Sequence, residues 1–311
     1  MATTVNVSSN YAGKEAGKII GASFKEADTL RLGLVSISEN INYKLNMRKI
    51  AYTDGTTDYT CGFTPSGAVT LSERVLEPKK LMNPIQVCKE DFRATWSEDL
   101  EGASASNPNL ASDIQDAIMA EVLADTAERT DSLIWIGDGS VAGEFDGYIT
   151  LFDADASVIK ANNGITPIGA AITEANVESE LKKVLNAVPV RLRRKSLSVA
   201  VSPDVFQAYN FYLVSKGIAN GMGGEDKQVK FGKYNLTEVN GLPDNTIVVF
   251  EKTNLLFGTG LLADHNELRM VDEDEIGLLT GLVRGKMVYN AGVQYYNSED
   301  IVYYLSTTTP A

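Results

Sequence analysis

The sequence predicts an α+β fold with little of its own core in its first quarter. Helical and strand-like segments are mixed without the alternating βαβα rhythm of a doubly wound sheet. One segment is long and helical, and most of the chain beyond residue 227 reads as strands. At 311 residues the chain is sized for one or two domains.

From the start of the chain, residues 1 to about 30 are polar, rich in Ser, Thr, Asn and Gly, and lack hydrophobic periodicity. They read as an extended arm. Strand-formers cluster at Leu34–Ile37 and Tyr43–Tyr52. Turn signals come next at Asp54-Gly55 and Pro65-Ser66-Gly67, so residues 44–78 form a long β-hairpin with a polar tip. Such a hairpin has too few strands for a core and should lie on something else. Residues 81–96 read as a strand followed by a short helix or extended segment.

A helix is expected over 108–134, with Asn107 as N-cap and Pro108 at its first position. Leu110, Ile114, Ala117, Ile118 and Val122 share one face of it. Its length is roughly 40 Å at the usual rise per residue. The glycines of IWIGDG stop it. YITLFDADASVIKA then reads as one or two strands. A second helix fits 174–187, with Thr173 as N-cap and Val177, Leu181, Val184 and Leu185 on one face. LSVAV (197–201) is an apolar run of buried-strand type. Ser202-Pro203 opens a third helix carrying Val205, Tyr209, Tyr212 and Leu213. NGMGGEDK (220–227) reads as a loop, and no internal repeat is present.

Composition excludes several function classes. The net charge of −13 opposes a polyanion, whereas nucleic-acid grip needs a basic face. No apolar run reaches the roughly 18 residues of a membrane span, and the N-terminus lacks a signal-peptide core. A reducing cytoplasm is therefore expected. Cys61 and Cys88 fit it as two small buried thiols without CxxC spacing, and with His265 as the sole histidine they make no zinc site.

GDGSVAGEFDGYIT (137–150) carries glycines and acids in the manner of a ligand loop. Gly137, Gly139 and Gly143 miss the dinucleotide spacing, and a helix before with a strand after reverses the required order. Asp138, Glu144 and Asp146 miss the alternation of a calcium loop. A metal-dependent enzyme using these three acids is the alternative from another class. The favoured reading is a helix-to-strand connection whose glycines supply backbone freedom. There is no G-x-S-x-G, and acidic runs such as Asp153/Asp155 and Asp272 to Glu275 read as solvated faces. RLRRK (191–195) comes after a helix and reads as local structure or a subunit contact rather than a phosphate site. The aromatic tail, VYNAGVQYYNSEDIVYYLS, reads as a packed sheet rather than a base-stacking platform. No catalytic, cofactor-binding or metal site is expected.

GDGS with EFDGYITL directly after the long helix, LSVAVSPDVFQAYNFY as strand, Ser-Pro turn and helix, and the order arm, hairpin, spine helix, mixed body are together similar to a known family. The chain resembles tailed-bacteriophage major capsid proteins of the Hong Kong 97-type fold. The resemblance implies an N-terminal arm (1–43), an extended hairpin loop (44–78), a peripheral domain (79–165) with its spine helix, an axial domain (166–265), and C-terminal strands (266–311) returning to the peripheral domain. It implies a structural subunit, not an enzyme and without cofactors, that assembles into pentamers and hexamers around double-stranded DNA without sequence-specific binding. Assembly in the bacterial host cytoplasm into a virion, with a portal and no membrane, is implied too. Because the sequence begins with a short arm, a scaffold is expected as a separate protein. An encapsulin-type shell holding protein cargo shares the fold and is the close alternative. Lys44 and Lys49 occur among many asparagines, but no motif identifies a cross-linking pair.

Overall fold

A computed structural model describes residues 10–12, 27–41, 43–59, 61–62, 66–88, 112–161, 171–217, 228–260, 267–274, 278 and 280–305. The elements run β1 (Asn10–Ala12), α1 (Asp28–Arg31), β2 (Ser36–Ser38), β3 (Leu45–Thr53), β4 (Ala68–Leu76) and β5 (Lys79–Cys88). Then come α2 (Ser112–Ile136), α3 (Tyr148–Ala154), β6 (Ile159–Lys160), α4 (Val177–Ala187), β7 (Ser198–Val201) and α5 (Pro203–Ser215). The rest is strands: β8 (Gln228–Phe231), β9 (Tyr234–Glu238), β10 (Thr246–Phe250), β11 (Leu255–Thr259), β12 (Glu267–Asp272), β13 (Leu282–Tyr295) and β14 (Val302–Leu305).

Strand β13, 14 residues long, organises the first six-stranded sheet. β5 pairs with it antiparallel from Leu282↔Cys88 to Ala291↔Lys79. β12 and then β11 pair with successive stretches of it, and β1 and β2 extend the sheet outward. The second six-stranded sheet has the order β6-β14-β10-β7-β9-β8.

The apolar runs of β7 and β10 are explained by what covers them. Val199, Val201, Ile247 and Val249 face a core shared with Val177, Leu181 and Val184 of α4 and Val205 and Tyr209 of α5. Ala200, Val248 and Phe250, one residue out of phase, face the other core. A strand buried on both faces has no use for polar alternation. That other core gathers Leu133, Ile134 and Trp135 of α2, Tyr148, Ile149 and Phe152 of α3, and Met287 and Tyr295 of β13.

Several sequence expectations need correction. YITLFDA is helix α3, not strand. Tyr148, Ile149 and Phe152, spaced by one and three, form one buried helical face, and that burial overrides the strand propensity of the residues. The N-terminal segment is not all arm. Ala27, Leu30, Leu34 and Val35 are buried in the first core. The Thr29 N–H donates to Asp131 at 2.8 Å, and Trp135 Nε1 donates to the Thr29 hydroxyl at 2.8 Å. Strand β1 is also paired, to β12. The long helix is described from Ser112, so Asn107 and Pro108 lie outside the described residues, as do Leu110, His265 and residues 220–227. It ends two residues later than expected, at Ile136. The second helix begins at Val177, because Thr173 to Asn176 form a turn first, with the Thr173 carbonyl accepting from Asn176 at 3.1 Å. Among the described residues no helix is long and apolar enough to cross a membrane.

The aromatic core gives a direct test. Phe152 is fully buried against Tyr148, Tyr295 and Tyr303. Phe152→Ala should lower stability by about 3–5 kcal/mol, read from the urea midpoint of the purified chain at unchanged m-value.

Candidate functional site

The glycine-rich loop uses its acids on itself. Asp138 accepts the Ser140 N–H at 2.8 Å, Glu144 accepts the Asp138 N–H at 3.2 Å, and Asp146 accepts the Gly139 N–H at 2.8 Å. The hydrogen bonds from Ser140 hold the Asp138 carboxyl below its ordinary range. Lys79, at the start of β5, closes over the loop by donating to the Gly139 carbonyl at 3.0 Å. Three carboxylates turned onto separate backbone N–H groups of one loop do not converge on a cation. Among the described residues no group of three or more His, Cys, Asp or Glu is placed to hold a metal.

The glycines serve close approach more than backbone freedom. A Cβ on Gly137 would stand 2.2 Å from the Phe145 carbonyl oxygen, and one on Gly147 would stand 2.6 Å from Trp135 backbone. Of this loop's glycines only Gly143 has positive φ, at 86°. The loop therefore folds the end of α2 tightly against the start of α3, with Gly147 N–H donating to the Gly137 carbonyl at 2.8 Å.

The basic cluster is equally local. Arg193 donates to the Asn186 and Val188 carbonyls at the end of α4, at 3.2 and 3.1 Å. Arg191 pairs with Glu299 and Asp300, and Lys195 with Glu251 and Asp300. Of the tail aromatics, Tyr289, Tyr295, Tyr303 and Tyr304 are buried and Tyr296 is exposed by itself, so they present no stacking platform among the described residues. Cys88 is half-buried, but Cys61 is exposed near the hairpin tip, against expectation. The acidic runs also depart from expectation, since Asp272 and Glu273 are buried, with Arg284 Nε 2.9 Å from Glu273.

The candidate site is instead a surface, the β3–β4 hairpin. Nine residues pair in each strand, from Leu45↔Leu76 to Thr53↔Ala68. At its base Met47 and Leu76 are buried with Ile41 and Leu256. Beyond that base, one face carries Ile50, Tyr52, Val69 and Leu71, all at least 61 % exposed. In the register Ile50 pairs with Leu71 and Tyr52 with Val69, so the four make one contiguous apolar strip. An apolar strip of this kind marks a contact surface.

Polar contacts from the body fix the hairpin at its base. Arg74 of β4 reaches Asp155, just after α3, at 2.5 Å, and Tyr295 donates to the same carboxylate oxygen at 2.9 Å. The Arg74 guanidinium also stacks 4.3 Å from the Tyr295 ring centre. Lys49 donates to Asn297 at 2.6 Å, and Gln294 donates to the Val75 carbonyl at 3.2 Å. Asp155 is thus an anchor rather than part of a solvated face. Burial works to raise its carboxyl, but hydrogen bonds from Arg74, Ser157 and Tyr295 outweigh it and hold it at about 2. Burial and the Asp155 hydrogen bond push the Tyr295 phenol up to about 12. Sequence reading missed this anchor, because its members lie 81 and 140 residues apart and no local motif joins them.

Asp155 has a measurable signature. Its carboxyl is lowered on folding, so its contribution is complete above the ordinary 3.8 and is lost as pH falls toward about 2. The size is roughly 2 kcal/mol. Urea titrations between pH 5 and 2 should show the parent losing about that much more stability than Asp155→Asn.

No protein-family model and no curated relative matches the chain. Solved structures do. A chain of the satellite phage P4 procapsid with size determination (Sid) protein is 12 % identical, with a TM-score of 0.55, covering 94 % of this chain and 99 % of that one. A chain of the native GTA particle capsid is 9 % identical, with a TM-score of 0.58, covering 99 % and 96 %. A virus-like particle from Pyrococcus furiosus is 12 % identical, with a TM-score of 0.51, covering 94 % and 98 %. End-to-end likeness to capsid chains makes this an α+β chain with the Hong Kong 97-type capsid fold.

Proposed function

We propose that the chain is the structural subunit of an icosahedral phage capsid and is not an enzyme. The observation that carries this is the β3–β4 hairpin: a chain with a capsid fold holds out an apolar strip that is left exposed among the described residues. Pairing that strip with another copy removes it from water, and the gain is realised only in an assembly.

On this reading residues 44–78 are the extended loop that lies over a neighbour, and 1–43 the arm, with Ala27–Val35 anchoring it in the core. Residues 79–165 are the peripheral domain with its spine helix, 166–265 the axial domain, and 266–311 the strands that return. Pentamers and hexamers close the shell around double-stranded DNA, and the net charge of −13 keeps the wall from gripping its contents. A portal and a separate scaffolding protein complete assembly in the bacterial cytoplasm, and the mature location is the virion. A shell of encapsulin type with protein cargo, which shares the fold, is the less supported second reading. Particle contents, nucleic acid or protein, separate the two.

Replacing residues 49–72 by Asn-Gly joins Arg48 to Glu73, which pair directly, through a two-residue turn. The shortened chain should keep its body fold by circular dichroism and form no closed particles in negative-stain microscopy. Normal particles from it would overturn the proposal.

A further inference from the structure

The turn after β9 contains an Asn-Gly pair, Asn240-Gly241. Asparagine is among the chemically labile side chains, and a following glycine leaves the backbone nitrogen that attacks it unshielded. The glycine has no substitute at this point. A Cβ on Gly241 would stand 2.3 Å from the Asp131 carbonyl oxygen and 2.9 Å from its carboxylate, so the turn lies directly on α2. Val239 and Leu242, on either side of the pair, are buried, and the Leu242 N–H closes the turn on the Val239 carbonyl at 3.4 Å.

Both groups that would react are occupied. The Gly241 N–H donates to the Asp131 carboxylate, and Asn240 Nδ2 donates to Asp28 of α1. The same two acids serve the N-terminal segment: Asp131 accepts the Thr29 N–H at 2.8 Å, and Asp28 pairs with Arg31 at 2.6 Å. Negative charge is already crowded there. Burial pushes the Asp131 carboxyl up, hydrogen bonds from Thr29 and Gly241 oppose the rise, and the Asp28 charge adds to it.

We propose that Asn240 is a deamidation site gated by the α1 segment, closed while residues 27–35 are docked and open once they lift. Ring closure needs the Gly241 nitrogen aligned on Asn240 Cγ, and the docked segment holds each partner elsewhere. When it lifts, the Gly241 nitrogen gives up its proton to water and attacks Cγ. The Cγ–Nδ2 bond breaks, ammonia leaves with a proton, and a five-membered imide remains. One water then opens the imide at either carbonyl, giving aspartate or its β-linked isomer. A carboxylate now stands where an amide donated to Asp28, so attraction becomes repulsion. The β-linked product also adds a backbone methylene to a turn already pressed on α2. Reaction therefore locks the segment out, and the pair records whether that segment has left the core. This holds whatever the chain assembles into.

Peptide mapping by mass spectrometry of the full chain, incubated in neutral buffer, tests the gate. The native parent should convert Asn240 at least roughly tenfold more slowly than the parent unfolded in urea; equal rates overturn the proposal. Leu30→Ala loosens the segment without touching the pair and should speed conversion roughly tenfold. Asp131→Asn, which removes one acceptor, makes the same test should Leu30→Ala not fold. Phe152→Ala weakens the core through Tyr148, Tyr295 and Tyr303 instead, and should stay within about threefold of the parent. Urea midpoints establish that each variant is folded. A folded Leu30→Ala at the parental rate overturns the gate, as does a Phe152→Ala that reacts equally fast, because the route would then be global unfolding. Asn240→Asp tests the lock by hydrogen exchange: residues 27–35 should exchange at least roughly tenfold faster than in the parent, with β10 unchanged. Parental exchange in that segment overturns the lock.

Discussion

The structure depends on a buried aromatic cluster that no single segment could make. Trp135 lies 5.5 Å from Tyr148 and 6.2 Å from Phe250 by ring centres, while Phe152 lies 5.5 Å from Tyr295 and 6.0 Å from Tyr303. These rings come from the end of α2, from α3, and from β10, β13 and β14. Aromatic pairs at such spacings add to the burial of large apolar areas. With the rings in place, the direction of the long helix, the turn into α3 and the meeting of the two sheets are all fixed. The glycine-rich loop is a consequence of this constraint. Bringing α3 back beneath the end of α2 forces backbone contacts at Gly137 and Gly147 that no side chain could occupy.

From that cluster the hairpin takes its direction. Tyr295 contributes its ring to the core and its hydroxyl to Asp155, and Asp155 holds Arg74 at the hairpin base. The division of labour is physical. Apolar burial ends near Met47 and Leu76, and beyond them only polar contacts and strand pairing hold the hairpin. An element held this way can keep a direction in space while its outer face stays exposed, as the proposed shell reading requires.

Acids are used for structure throughout. Asp131, Asp155, Glu180 and Glu273 each hold a distant or neighbouring segment through buried or half-buried hydrogen bonds and ion pairs. The loop acids that resembled a metal site order their own loop.

Sequence alone determined the elements whose patterns are local. The unbroken apolar run of β7, the strand-formers and turn residues of the β3–β4 hairpin, the amphipathic faces of α4 and α5 and the glycine stop after Ile136 were all legible, because each is set by near neighbours. The α+β class came from their order. Tertiary structure alone decided that YITLFDA is a helix, since a short apolar run suits a strand or a buried helix until its covering is known. It alone decided that Ala27–Val35 belongs to the core and that Arg74, Asp155 and Tyr295 meet. Those contacts join residues far apart in the chain, and their energies come from burial that no single segment can provide.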